Sequence, residues 1–104
     1  MSVPANPLRG EATLVIAGQP HVLRPSFENL LAAEAELGSL FALVERAAGG
    51  ALTLGEITAL LWHCLPGDAR PERVYVGRAV LEMGLVKATQ PVRSVLAQIL
   101  EGAP

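Results

Sequence analysis

The sequence predicts an α+β domain: an N-terminal β-hairpin followed by four or five short helices packed in one small unit. Three observations carry this. The stretch EATLVIAGQPHVLRPSF from Glu11 alternates, turns at a glycine and alternates again. After Pro25 the apolar spacing changes from two to between three and four and keeps that period. The 104 residues suffice for one core, and no repeat or low-complexity tract divides them. A single domain over 1–104 is expected, with a loose arm over 1–8, the hairpin over 9–25 and the helical part over 26–102.

In the first strand Ala12, Leu14 and Ile16 share one face, while Glu11, Thr13 and Val15 share the other. Gly18 is the natural residue for a positive φ. Ala17 suits a type I′ turn badly, so a type I turn with a glycine bulge is expected. The second strand reads as His21 to Arg24. A two-stranded hairpin is marginal alone in water. It must therefore lie on the helices that follow or add strands from another chain.

Pro25 ends the strand, and Ser26 is a good N-cap for the first helix. Phe27, Leu30, Leu31 and Leu37 follow helical spacing, and Gly38 supplies the stop. Ser39 restarts a shorter helix, LFALVERAA, which ends at Gly49 and Gly50. Thr53 and Glu56 form a capping box, with Leu52 and Ile57 at the two positions of a hydrophobic staple. This third helix turns Leu54, Ile57, Leu61 and Leu65 to the core, bordered by Leu60 and Cys64, and closes at Pro66 and Gly67. Pro71 suits the first turn of a fourth helix that ends near Gly84. The last helix begins around Pro91 and sets Val92, Val95, Leu96, Ile99 and Leu100 on one stripe.

Charge and chemistry narrow the function. The formal net charge is -2 and no basic tract occurs, so the chain has no electrostatic footprint for nucleic acid. No apolar run approaches the roughly 18 residues that span a bilayer. The N-terminal MSVPANPLRGEA lacks the basic and apolar regions of a signal peptide. A soluble, cytoplasmic protein is expected. The single Cys64 has no CxxC partner. His63 and Cys64 are adjacent on a helix and point about 100° apart, so they form no pair; they read as a surface histidine beside a buried thiol. Zinc needs about four ligands, and His21, His63 and Cys64 are the meagre supply. Glu28, Glu34 and Glu36 read as a solvated helix face, with no histidine beside them. No phosphate-cradling glycine motif occurs. No catalytic residue, cofactor, metal or small-molecule substrate is therefore expected, and the chain reads as a non-enzyme.

Charged residues make up 17% of the chain and hydrophobic ones 51%, against about 25% charged in ordinary domains. That composition fits a partner surface, and it equally fits simple alanine richness. Trp62 lies off the centre of the leucine stripe, as a core-edge residue or as an exposed anchor. On the fourth helix Val74 and Leu81 form one apolar row and Val76, Val80 and Met83 another, with Tyr75, Arg78 and Glu82 on the wet side. So wide an arc sits between two neighbours in the monomer or meets another chain, a second copy included. The partner-binding candidates are Trp62, Tyr75, Val76 and Met83.

The run NPLRGEATLVIAGQPHVLRPSFENLLAAEAELG resembles the opening of the gene-transfer-agent and phage tail assembly chaperone family. The resemblance rests on Arg9, Gly10 and Glu11, on Gly18, and on Leu23, Arg24, Pro25, Ser26 and Phe27. The later LTLGEITALLWHCL is similar to that family's tryptophan-bearing helix. The resemblance implies a bacteriophage, prophage or gene transfer agent protein of virion assembly. It would bind the tape measure protein and the tail tube protein and be absent from the finished particle. The competing reading is a small regulatory or DNA-binding helical domain, since short helices joined by glycine turns mimic a helix-turn-helix. The acidic balance, and the lack of Arg or Lys on LTLGEITALLWHCL, oppose it.

Overall fold

Proline and glycine punctuation divides the chain much as the apolar pattern does. In the computed structural model, which describes residues 12–67 and 70–101, β1 (Ala12–Ile16) and β2 (Gln19–Leu23) form an antiparallel hairpin. Five helices follow: α1 (Phe27–Leu37), α2 (Leu40–Ala48), α3 (Leu54–His63), α4 (Arg73–Met83) and α5 (Leu85–Glu101). The fold is α+β. The arm over 1–8 and the Arg9–Glu11 start of the hairpin lie outside the described residues.

The hairpin turn differs from the expected one. Ile16 pairs with Gln19, which leaves only Ala17 and Gly18 in the loop. Both have positive φ, 51° and 80°, the backbone of a type I′ turn. A two-residue loop needs this twist to keep its strands parallel to one another. Ala17 bears a left-handed strain of roughly 1–2 kcal/mol. The register justifies it, because a one-residue slip would turn Leu14, Ile16 and Leu23 out of the core. β2 accordingly begins at Gln19 instead of His21, and Pro20 is tolerated because the strand is an edge.

The third helix organises the interior. Ile57, Leu60, Leu61, Cys64 and Leu65 are buried, while Leu54, expected to face inward, is partly exposed. α3 packs against α1, α4 and α5, and β1 rests on α4 and α5. The N–H of Arg24 donates to the carbonyl of Cys64 at 2.7 Å, so the hairpin's end satisfies a backbone acceptor at the end of α3. Leu14, Leu23, Leu43, Val76, Val80 and Val95 complete the core from the other elements. Among the described residues no helix is long and apolar enough to cross a membrane.

The last helix starts six residues earlier than expected, at Leu85, and carries Pro91 inside it. A proline there removes one backbone bond and costs about 3 kcal/mol. The turn ahead of it is held by burial of Ala88 and by its N–H bond to Gly84, whose φ of 89° reverses the chain after α4. Pro91 and Val92 are themselves buried, so the apolar face continues across the break. The fourth helix begins at Arg73, after Pro71.

The capping box at α3 forms in both directions. The Thr53 hydroxyl accepts from the N–H of Glu56 at 3.1 Å, and the Glu56 carboxylate accepts from the N–H of Thr53 at 2.9 Å. That backbone bond, reinforced by Arg46, holds the Glu56 carboxyl below its ordinary value. Thr53→Ala should destabilise the fold by about 1 kcal/mol, read as a lower denaturant midpoint; an unchanged midpoint would remove the cap. Ala17→Asn should stabilise it by roughly 0.5–1 kcal/mol, because asparagine enters the left-handed region more easily. A lower midpoint in that variant would contradict the type I′ turn.

Candidate functional site

The first helix presents three lines of side chains, and each does something different. Leu30, Ala33 and Leu37 point inward, Ala33 being fully buried. Glu36 lies on one flank. Phe27, Leu31 and Glu34 lie on the other.

On the Glu36 flank a polar clasp joins three helices. Arg73 of α4 reaches both oxygens of Glu36, with Nη1 donating to Oε2 at 2.6 Å and Nη2 to Oε1. His63 of α3 places Nε2 2.9 Å from Glu36 Oε1. A carboxylate only accepts, so His63 donates to Glu36 in the tautomer with the proton on Nε2, while Arg73 Nη2, 3.3 Å from the same nitrogen, donates to it in the other. His63 Nδ1 is buried without a hydrogen-bond partner among the described residues. Hydrogen bonds from Arg73 and then His63 hold the Glu36 carboxyl down at about 2, and the same pair raises Arg73. Arg70 donates to the carbonyls of His63 (3.1 Å) and Leu65 (2.8 Å), satisfying acceptors at the C-terminal end of α3. Trp62 completes the cluster. Its Nε1–H donates to the Pro71 carbonyl at 2.8 Å, and the Arg70 and Arg73 guanidinium carbons lie 4.5 and 4.3 Å from its ring centroid.

This clasp corrects two expectations. His63 is buried, not a surface residue, because Glu36 and Arg73 compensate the loss of water. Glu36 is engaged, not merely solvated. Cys64 is buried as expected, and burial pushes its thiol up to about 12. His21 lies half-buried opposite Leu14 in the hairpin.

On the other flank Phe27 is 75% exposed and Leu31 55% exposed, although their spacing suggested core residues. With Leu30, Leu40 and Ile99 they line an open groove of about 380 Å³ between α1, the start of α2 and the C-terminal part of α5. Phe41, next to Leu40, is 66% exposed. A second groove, of about 420 Å³, runs between the end of α2, the start of α3 and α5, lined by Leu52, Ile57, Leu85 and Leu96 among others.

The four partner-binding candidates scatter. Val76 is fully buried and Met83 half-buried against the core, so the Val76, Val80 and Met83 row faces inward. A wholly buried Val76 has no surface to offer; its helix is sandwiched between α3, α5 and β1. Trp62 is half-buried at the core edge. Tyr75 is exposed, with Arg78 6.0 Å over its ring, beside the outward row of Val74 and Leu81. The sequence reading passed over Phe27 and Leu31. A helical wheel centred on Ala33 sets Phe27 about 120° and Leu31 about 160° away from it.

Glu36 gives the clasp a pH signature. An unfolded carboxyl titrates near 4.5, so the stabilisation from Glu36 is complete above that value. It is lost as pH falls toward about 2. Over a third of the side chain is exposed, which keeps the effect modest. Glu36→Gln should lower stability at neutral pH and flatten the acid limb of the stability curve. Acid-unfolding curves that run parallel for the two proteins would contradict the clasp.

Comparison with known proteins adds the family. The family described as phage tail tube protein, GTA-gp10 matches residues 9–102. No curated protein and no solved structure gives a match. With nearly the whole chain covered, including the hairpin, the clasp and both apolar flanks, this protein belongs to the phage tail tube protein, GTA-gp10 family.

Proposed function

We propose that the chain is a non-enzymatic tail assembly chaperone that binds the tape measure protein and assists assembly of the tail tube around it. The observation that carries the reading is apolar surface in a tail-family domain: Phe27, Leu31 and Phe41 stand in water although the chain has a buried core of its own. Exposed large apolar groups of this kind serve association. The polar cluster supports a binding role over a chemical one. Glu36 and Arg73 are paired with each other, Arg70 is spent on backbone carbonyls, and the Cys64 thiol is held neutral by burial. On this reading the protein acts in the bacterial cytoplasm and leaves before the particle is finished.

A second reading is favoured by the words of the family description: the chain would itself be a subunit of the tail tube. The two separate by experiment. Co-expressed with the tape measure protein of its own gene cluster, the chain should keep that partner soluble and co-purify with it. The complex should survive moderate salt, because apolar burial is screened far less than ion pairing. A tape measure protein equally soluble without the chain, and no co-purification at any salt, would overturn the chaperone reading. The chain recovered in stoichiometric amount from finished particles would establish the tube subunit.

A further inference from the structure

The groove between α1 and α5 differs from the other apolar surfaces in its charge. Its apolar wall is Phe27, Leu30, Leu31, Leu40 and Ile99, and Glu34 is the one charged residue on it among the described residues. α1 carries Glu28, Glu34 and Glu36 and no basic residue. Arg73 neutralises Glu36 on the far flank, where His63 also lies within hydrogen-bond distance of it. Glu28 and Glu34 have no cation among the described residues, and Glu34 accepts only the N–H of Leu40, at 3.1 Å. Gln98 and Ile99 of α5 form the opposite wall, which carries no charge among the described residues. An apolar trough edged by the Glu34 carboxylate, on a helix with no basic residue, asks for an occupant with apolar anchors and a cationic donor.

The walls also decide the occupant's backbone. They are helices, whose N–H and C=O groups are already paired, so no strand edge is offered for an extended peptide to join. A helix, whose backbone is already paired internally, needs no such edge and offers only its side chains to the groove. A second copy of this chain fits poorly. Two α1 faces brought together would set Glu28 and Glu34 of one against those of the other.

We propose that this groove is the docking site for an amphipathic helix of a partner protein that carries Lys or Arg beside apolar anchors at i, i+3 or i+4 spacing. The proposal deepens the chaperone reading, for which it names the face and the chemistry of the bound segment. Phe27 and Leu31, one turn apart, receive the anchors, and Glu34 takes the cation.

The test has two arms. In the first, labelled helical peptides are titrated against the whole chain by fluorescence anisotropy: one with leucines at i, i+3, i+4 and i+7 flanked by lysines, and its twin with glutamates. The lysine peptide should bind more tightly than its twin by on the order of tenfold. Phe27→Ser with Leu31→Ser should weaken it by roughly tenfold or more. Glu34→Gln, which keeps the acceptor for Leu40, should erase most of the preference for lysine. Tyr75→Ser, on the outward row of α4, should change neither. Equal binding of the twins, binding unaffected by the groove changes, or no binding at all would each overturn the proposal. So would a dimer of the wild-type chain that Leu31→Ser dissociates, because a second copy would then fill the groove. In the second arm the same variants are co-expressed with the tape measure protein. Co-purification undiminished by the groove changes would sink the groove and spare the chaperone. Peptide binding as expected, without tape measure binding by the wild type, would do the reverse.

Discussion

His63 cannot be buried without a partner, and the rest of the domain is arranged around supplying one. It occupies the last turn of α3, where the neighbours Leu60, Leu61, Cys64 and Leu65 are all core residues. Glu36 answers it from α1, and Arg73 then answers Glu36 from α4. One carboxylate thus sets the relation of three helices. It also fixes the rotation of α1 about its own axis. Phe27 lies nine positions from Glu36, which is about 180° around the helix, and Leu31 lies five positions away, about 140°. With Glu36 held at the clasp, Phe27 and Leu31 are turned away from it. The same rotation turns Leu30, Ala33 and Leu37 to the interior, so the polar contact and the apolar face agree in leaving Phe27 and Leu31 outside.

That dependence explains what the sequence could and could not reveal. The capping box at Thr53 and Glu56 involves residues three apart and was fully legible, as were the N-caps at Ser26 and Ser39. The Glu36–His63 contact spans 27 positions, and no local pattern marks it. Without it, α1 reads as a helix whose whole apolar arc faces inward. The bulk of the core stripe on α3 was legible because it is periodic; only Leu54, at the solvent end, departs from it.

Two local misreadings have a different cause. Ala17 is a poor residue for a left-handed turn and Pro91 a poor one for a helix interior, and both judgements are correct as propensities. Tertiary burial outweighs them. The hairpin register buries three large side chains at the expense of one strained alanine. The turn before Pro91 seats Ala88 against the interior, and Pro91 itself contributes apolar volume. On α4 the two apolar rows were seen, but pattern alone could not say which faced inward. Contacts with α3, α5 and β1 made it the Val76 row and left Val74, Tyr75 and Leu81 outside.

The proposed groove is small, and its size bears on how such a protein would work. Each buried apolar side chain contributes about 1.5–3 kcal/mol, while association itself costs at least about 4 kcal/mol. Phe27 and Leu31, met by two or three anchors, therefore give a contact that forms and dissolves readily. Glu28 and Glu34 add selectivity and speed of encounter more than strength. A lone weak site would serve a permanent structural joint badly. On the chaperone reading the need is the opposite, because a partner held during assembly must later be released. On that reading a shallow groove with two exposed anchors, Phe27 and Leu31, suits a partner that is held only until its final neighbours arrive.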